Sequence, residues 1–346
     1  MPFQVAVMIE MRAPIVSVCI ANYNGEEIIA DCLDSVLMQK DAPRFEIIVH
    51  DDASSDNSLE IIRKYGSVRL IASAENVGFC VSNNRMAEEA RGDFLLLLNN
   101  DARLFEDSLT TLYGESNLYD HKAILGLPQY EASTGNLIDR GEYLDFFASP
   151  IPARSEEQRD LAMIMGACMW IPSRVWRQIG GFPEWFVTNA EDVYLCCYAR
   201  ALGYKVFVPK RSGFYHIVGY SLGGGKAAGR RLGISLRRRH FSERNRLLVQ
   251  WVFYPAWMIP LTFMANLIGL LVEAALLILV NRRIDFAKFI YVESIRSAWR
   301  ARGHAIASRR RIATVRRISA WAFFTPFKLI PQKVRLLVQL GLPRAM

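Results

Sequence analysis

The sequence has no CxxC pair, and its six cysteines (Cys19, Cys32, Cys80, Cys168, Cys196 and Cys197) are scattered, mostly inside apolar runs where a small hydrophobe fits. That usage belongs to a reduced compartment rather than to a disulfide scaffold. No internal repeat and no low-complexity tract is visible. The N-terminus has acidic Glu10 and only Arg12 as a positive charge before the first apolar run. The charged-then-apolar pattern of a secretion signal is therefore missing, and the chain is expected to stay on the cytoplasmic side. Acidic residues are scarce in the last third. Residues 226–346 hold 23 Lys+Arg against four acids (Glu243, Glu273, Asp285 and Glu293), leaving 19 against 30 in residues 1–225, so the net charges are about +19 and −11. The basic runs bracket a long apolar stretch, which points to an anionic membrane surface and away from nucleic acid. With 51% hydrophobic residues in 346, disorder is excluded as the dominant state, and one large or two modest domains are allowed.

The first half alternates strand and helix signals. Residues 16–21 form a β-branched and apolar run that ends at the turn signals Asn22, Asn24 and Gly25, the pattern of a buried strand. Ile28, Ile29, Cys32, Leu33, Val36 and Leu37 then recur at helical spacing. A second run, 45–50, stops at Asp51-Asp52-Ala53-Ser54-Ser55-Asp56, rich in helix N-caps. Residues 68–72 read as a third strand, about 81–90 as a helix, and 94–98 as a fourth strand ending at Asn99-Asn100-Asp101. Strands alternating with helices imply a mostly parallel sheet. Ligands of such sheets bind outside the carboxyl ends of the strands, where the polar clusters at Asn22, Asp51 and Asn99 all fall. Taken singly, Asp51-Asp52 is a helix cap, Asn99-Asn100-Asp101 a common turn, and Asn76-Val77-Gly78 a tight turn. Together they can serve a nucleotide, which needs polar groups for its base and ribose and a hard cation, held by carboxylate oxygens, for its diphosphate.

The segments VSVCIANYNG (16–25), EIIVHDDASSDNS (46–58), ENVGFCVSNNRMAEEARGDFLLLLNNDA (75–102), GACMWIPSRVWRQIGGFPEWF (166–186), EDVYLCCYARALGY (191–204) and HIVGYS (216–221) occur in this order. As a set covering about residues 14–245, they resemble the family 2 glycosyltransferases, in particular rhamnosyltransferase-like enzymes that extend cell-surface polysaccharides on a lipid carrier. The resemblance implies an α/β fold of the A-type glycosyltransferase kind, an inverting mechanism, a nucleotide-diphosphate sugar donor and Mg2+ or Mn2+. The donor expected is dTDP-rhamnose or a UDP-hexose, and the acceptor a hydroxyl of a lipid-linked saccharide. The alternative is a catalytically idle module that kept the fold.

Carried over by position, Ala21 and Tyr23 cradle the base, Asp52 reads it, and Asn99 and Asn100 complete the nucleotide site. Asp101 ends the metal motif usually written Asp-x-Asp, whose first acid is here Asn99, an oxygen without the charge. His216 matches a histidine that completes the metal shell or contacts the diphosphate, and taken alone it reads as a structural histidine. Asp192 of the Glu191-Asp192 pair matches the general base, which must take the proton of an otherwise poorly nucleophilic hydroxyl. By helix position alone the same pair also complements the helix dipole. Glu142, Tyr143 and Asp145 fall where relatives contact the sugar, whereas Tyr194 and Tyr198 replace a frequent aspartate and arginine. The stretch 223–231 is a candidate lid or a plain linker.

The expected organisation is an N-terminal extension (1–13), a catalytic domain (14–232, split at 102 into nucleotide-binding and acceptor halves) and a basic, apolar helical region (233–346) for membrane association. Residues 247–280 contain one charge, Glu273, and exceed the roughly 20 residues that cross a bilayer. One spanning helix over 261–280 is one reading. A re-entrant hairpin bent near Pro255 and Pro260, or two interfacial helices, better suits the arginines on both flanks (Arg237, Arg238, Arg239, Arg244 and Arg246; Arg282 and Arg283). Downstream, Arg309–Arg311, Arg316 and Arg317 mixed with Trp321, Phe323, Phe324 and Phe327 read as surface amphipathic helix, with packing onto the protein as the other possibility. The expected location is the cytoplasmic face of the cell membrane.

Overall fold

The computed structural model describes residues 13–157, 160–217, 227–228, 231–232, 236–281 and 288–340. Its first half winds β1 (Val16–Asn22), α1 (Ile29–Leu37), β2 (Phe45–Asp51), α2 (Ser58–Arg63), β3 (Val68–Ala72), α3 (Phe79–Glu89) and β4 (Phe94–Asn99). There follow β5 (Ala102–Leu104), α4 (Ser108–Leu118), β6 (Ala123–Leu125), β7 (Gln129–Glu131), β8 (Leu137–Asp139), β9 (Glu142–Asp145), β10 (Pro150–Pro152), β11 (Cys168–Pro172), α5 (Ser173–Ile179), α6 (Glu191–Ala201), β12 (Lys205–Phe207) and β13 (Phe214–His216). The two-residue ladder of β14 (Ala227–Ala228) and β15 (Arg231–Leu232) precedes α7 (Leu236–Phe253) and α8 (Met258–Asn281). Helices Glu293–Arg300, Arg302–Val315 and Ala320–Phe324, strand β16 (Phe327–Lys328) and helix Gln332–Leu340 complete the order.

The main sheet runs β12-β6-β11-β4-β1-β2-β3. β1 pairs in parallel with both β2 and β4, β2 with β3, and β6 with β12, while β11 runs antiparallel between β4 and β6. The expectation of a mostly parallel α/β sheet holds, with α3 starting two residues earlier than its sequence pattern indicated. Covered on both faces, β4 (FLLLLN) and β11 (CMWIP) are runs of apolar residues rather than alternating ones. Val16, Val18 and Ile20 of β1 and Leu96 and Leu98 of β4 pack on the α1 side, whereas Cys19, Leu95 and Leu97 enter the opposite core. All six cysteines are buried and free, the small core hydrophobes their context suggested.

The second core is continuous with the C-terminal helices. It joins Met169, Val193 and Tyr198 to Leu248, Phe253, Ile312 and Phe323. The surface-amphipathic reading of the 309–327 stretch is therefore corrected. Phe323 is fully buried, and although Trp321 stays exposed, the arginines serve the packing. Arg309 Nη1 donates to the carbonyls of Trp251 and Tyr254 (2.9 and 2.6 Å) and Arg316 Nη2 to that of Phe253 (3.2 Å), satisfying helix-end carbonyls. β16 pairs in parallel with β9, Phe327 opposite Leu144. A small sheet thus ties the C-terminal segment to the middle of the chain.

The apolar stretch 247–280 also divides in two. Its first part belongs to α7, with Leu247, Leu248, Val249, Val252 and Phe253 all buried in the protein. The second, α8, is continuous through Pro260, which sits in its first turn where a missing N–H costs nothing. The chain bends at Pro255 between the two helices, where the re-entrant reading put its turn, but the α7 arm is packed inside the protein and only α8 presents an apolar face. Met258–Leu276 is long and apolar enough to cross a membrane and is almost wholly exposed. Its one acid, Glu273, faces the protein: Arg239 contacts Oε1, and Lys333 Nζ lies 2.6 Å from Oε2 and 2.6 Å from Glu243.

Candidate functional site

The parallel register brings three polar strand ends together. Asn22 lies opposite Asp51, and Ala21 stands between His50 and Asn99. Asn22 Nδ2 donates to Asp51 Oδ1 (2.8 Å), and Asn100 Nδ2 to Asn22 Oδ1 (2.9 Å), locking the ends of β1, β2 and β4 to one another. This joint requires Gly25, because a Cβ there would lie 2.6 Å from Asn100 Nδ2 and against Asn22 Oδ1. Ala21 is half-buried beside it and Tyr23 is exposed, leaving a rim open to a flat ring.

Asp52 is buried, and its carboxylate takes the N–H groups of Val77 (2.7 Å) and Gly78 (2.9 Å). Gly78, at φ +88°, occupies the left-handed region that its turn into α3 requires. The Asn76-Val77-Gly78 turn is thus fastened to the end of β2. Each carboxylate oxygen keeps a further lone pair for a ligand.

His216 reaches Asp101 through the second sheet, in which β13 pairs antiparallel with β5, His216 opposite Ala102. Its Nε2 lies 3.1 Å from Asp101 Oδ1, and both side chains are almost fully buried. Gln129 Nε2 lies 3.0 Å from His216 Nδ1. A glutamine amide can donate or accept, so it can support either imidazole tautomer and free Nε2 for a cation. The Oδ1 of Asn99 is buried with no partner among the described residues. One carboxylate, one imidazole and one orphaned amide oxygen fit a divalent ion that keeps coordination positions for phosphate oxygens and water. Among the described residues no cluster of three His, Cys, Asp or Glu that could hold a metal ion is present.

Glu191 and Asp192 open α6. Asp192 Oδ1 accepts from the Val193 N–H (2.7 Å) and Oδ2 from that of Gly166 (3.2 Å). Next to Gly166, Ala167 accepts from the Asn99 N–H through its carbonyl (3.0 Å). Two adjacent residues therefore link Asp192 to the end of β4 that carries Asn99 and Asp101. Burial raises the Asp192 carboxyl above its ordinary range. Burial, then the charge of Asp192, pushes Glu191 up to about 8, and Glu191 Oε2 has no partner among the described residues. Glu142 is raised well above the carboxylate range by burial and by the charges of Asp139 and Asp192, and Asp139 is pushed up to about 6 by burial. Arg238 on α7 supplies the opposing positive charge felt by Glu191 and Asp192. Asp139 also feels His216, so the acidic group extends from the base candidate to the metal candidate.

The loop before α6 is strained. Val187, Asn189 and Ala190 have φ near +65°, a region that costs a non-glycine residue on the order of 1–3 kcal/mol. Asp145 behaves differently from its acidic neighbours. Its Oδ1 accepts from Phe147 and Ser149 (2.8 Å each) and its Oδ2 from Gln332 (2.7 Å), so the carboxylate is committed to backbone N–H groups. Tyr194 and Tyr198 are buried among Phe186, Phe253 and each other, so they face the core. Gly219 and Ser221, most of the 223–231 stretch, and Arg282 and Arg283 lie outside the described residues. Sequence reasoning missed Gln129, Asp139 and Arg238. None sits in a motif, and only the second sheet and α7 bring them in.

Residues 17–176 match the family model for glycosyl transferase family 2. A glycosyltransferase of Rickettsia typhi is 28% identical over 179 residues, covering 50% of this chain and 54% of that protein. The Bacillus subtilis protein TuaG, named as a teichuronic acid biosynthesis glycosyltransferase, is 33% identical over 100 residues, 28% of this chain and 39% of that one. The chain thus spans about half, or less, of the curated relatives it matches. The crystal structure of GalNAc-T7 with UDP, GalNAc and Mn2+ superposes with a TM-score of 0.64 at 14% identity, covering 97% of this chain and 60% of that one. That likeness establishes the A-type glycosyltransferase fold.

Proposed function

The chain carries a family 2 glycosyltransferase domain, and on that premise we propose that it moves a sugar from a nucleotide-diphosphate donor to a hydroxyl of a lipid-linked saccharide, with inversion, in the building of a cell-surface polymer. The observation that carries this reading is the Asn99–Ala167 and Gly166–Asp192 pair of hydrogen bonds, which sets a carboxylate suited to proton abstraction beside the polar end of β4. TuaG is named for teichuronic acid biosynthesis, which favours a surface polymer as product. The donor is a UDP-hexose or dTDP-rhamnose.

The nucleotide base lies against Ala21 and Tyr23, with Asp52 reading its edge. Asn99 and Asn100 border the ribose and diphosphate. Asp101 and His216, backed by Gln129, hold Mg2+ or Mn2+, which when bound offsets the charge developing on the departing diphosphate. Asp192 accepts the proton of the acceptor hydroxyl as that oxygen forms its bond to the anomeric carbon, from the face opposite the leaving group. Burial makes Asp192 a stronger base than a solvated carboxylate. Glu142 and Glu191 border the acceptor, whereas the hydrogen bonds of Asp145 suit a structural role.

α8 supports a membrane-attached reading. Leu261, Met264, Ile268, Leu271, Val272 and Leu279 are exposed along it, while Glu273 is held on the protein side. An apolar stripe backed by a basic protein face suits the anionic cytoplasmic leaflet. A polyprenyl-linked acceptor would be concentrated there.

The test is a panel of UDP-glucose, UDP-galactose, UDP-GlcNAc, GDP-mannose and dTDP-rhamnose, each with Mn2+, read as protection against thermal unfolding and as release of nucleoside diphosphate. A true donor raises the melting temperature and is consumed. An idle module, the reading that Asn99 motivates, would be protected and yet release nothing above background.

A further inference from the structure

We propose that Asn245 is a positioning residue: its buried side-chain amide, aimed by Arg244, holds the 186–189 loop on the path that sets Asp192 in the site. The inference rests on the reading of Asp192 as the base. Asn245 lies on α7 and is fully buried. Its Nδ2 donates to the carbonyls of Phe186 (3.0 Å), Thr188 (2.8 Å) and Asn189 (2.7 Å). An amide nitrogen has two N–H groups, so these three acceptors exhaust it. The orientation of the amide is fixed from the other side, where Arg244 Nη1 donates to Asn245 Oδ1 at 2.6 Å and Arg244 Nη2 to the Trp185 carbonyl at 2.9 Å. Turning the amide over would set its oxygen against three carbonyl oxygens.

The clamped loop needs such a hold. Val187, Asn189 and Ala190 are all left-handed, and a β-branched residue resists that conformation. Strained backbone persists only where its surroundings over-determine it. Ala190 is the N-cap of α6, and Asp192 is the second residue of that helix. Any relaxation of 187–190 therefore swings the Asp192 carboxylate relative to Gly166 and the end of β4. The same loop approaches the donor side, since a Cβ on Gly78 would lie 3.7 Å from the Val187 carbonyl. One buried amide from the C-terminal half of the chain thus sets the distance between acceptor base and donor cradle.

The experiment uses the full chain with Asn245→Ala, and Arg244→Lys as the milder variant that keeps the charge and loses the fork. Hydrogen exchange is followed over 186–193, and transfer is measured with whichever panel nucleotide sugar the wild type consumes fastest. Misplacement of a catalytic group by about an ångström can cost on the order of 100-fold, and that loss is expected in kcat for Asn245→Ala. Exchange over 186–193 should rise, the dissociation constant of that nucleotide sugar should stay near the wild-type value, and Arg244→Lys should show a smaller loss of the same kind. Unchanged exchange, or raised exchange with wild-type kcat, overturns the proposal. So does a parallel fall of kcat, donor affinity and melting temperature. If Asn245→Ala does not fold, Arg244→Lys is judged by the same criteria. Retained turnover in Asp192→Asn sinks the base reading by itself, whereas an inactive Asp192→Asn beside a fully active Asn245→Ala sinks only the positioning role.

Discussion

The two sides of the proposed site hold their carboxylates in different surroundings. On the proposed donor side, Asp52 accepts two backbone N–H groups and Asp101 faces a histidine. On the proposed acceptor side, Asp139, Glu142, Glu191 and Asp192 crowd one another in buried surroundings, and all four carboxyls are raised. Fixed carboxylates suit a ligand that must be held through the reaction, and crowded ones suit a proton that must move. The fold produces the difference. Asp52 and Asp101 follow strand ends, whereas the other four converge from β8, β9 and the start of α6, where burial raises them against the opposing charges of Arg238 on Glu191 and Asp192 and of His216 and Arg154 on Asp139.

Breaking the acceptor side should have the largest effect. Asp192→Asn is expected to lower transfer by about 10²–10⁴-fold, the span of a lost general base, with donor affinity measured by calorimetry near wild type. An equal fall in both would erase the division of labour. Phe323→Ala tests whether the C-terminal segment belongs to the same core. Truncating so buried a ring should destabilise by about 3–5 kcal/mol, read by denaturant unfolding, whereas a separate surface helix would leave the catalytic core unmoved. On the donor side, Gln129→Leu removes the support of His216 and should weaken apparent Mn2+ affinity by about 10–100-fold, seen as a higher Mn2+ requirement for donor-dependent thermal protection.

The smallest effect concerns pH. Glu191 is about 8 in the folded protein against an ordinary 4.5, so the folded state binds its proton more tightly between those values. Stability contributed by the protonated form is complete below about 4.5 and is lost as pH rises toward 8. Glu191→Gln should flatten that decline, leaving the variant relatively more stable above pH 8. An unaltered slope of melting temperature against pH would show that Glu191 is not crowded as described.

The donor side was legible because it is local. Each of β1, β2 and β4 is an apolar run that stops at a polar cluster, and parallel pairing alone brings Asn22, Asp51 and Asn99 level. The acceptor side depends on long-range pairing. Glu142 reaches the neighbourhood of Asp192 through a bridge to Met163, and Gln129 meets His216 only because β7 and β13 pair. The tail misled for a chemical reason. Arginines mixed with aromatics look the same whether they face lipid headgroups or cap helix-end carbonyls over a core, and here Arg309 and Arg316 do the latter. Asp145 had the right residue type and the right neighbourhood, yet the strand pairing of β16 with β9 brings Gln332 onto it.

The most direct measurement follows release of nucleoside diphosphate from the best nucleotide sugar of the panel, with Mn2+ present and after chelation, by wild type and by Asp192→Asn side by side. The account predicts release by the wild type with metal, loss of release on chelation, and a metal-loaded Asp192→Asn that binds the nucleotide sugar without consuming it. A wild type that consumes none of the panel, or an Asp192→Asn that matches it in turnover, contradicts the account.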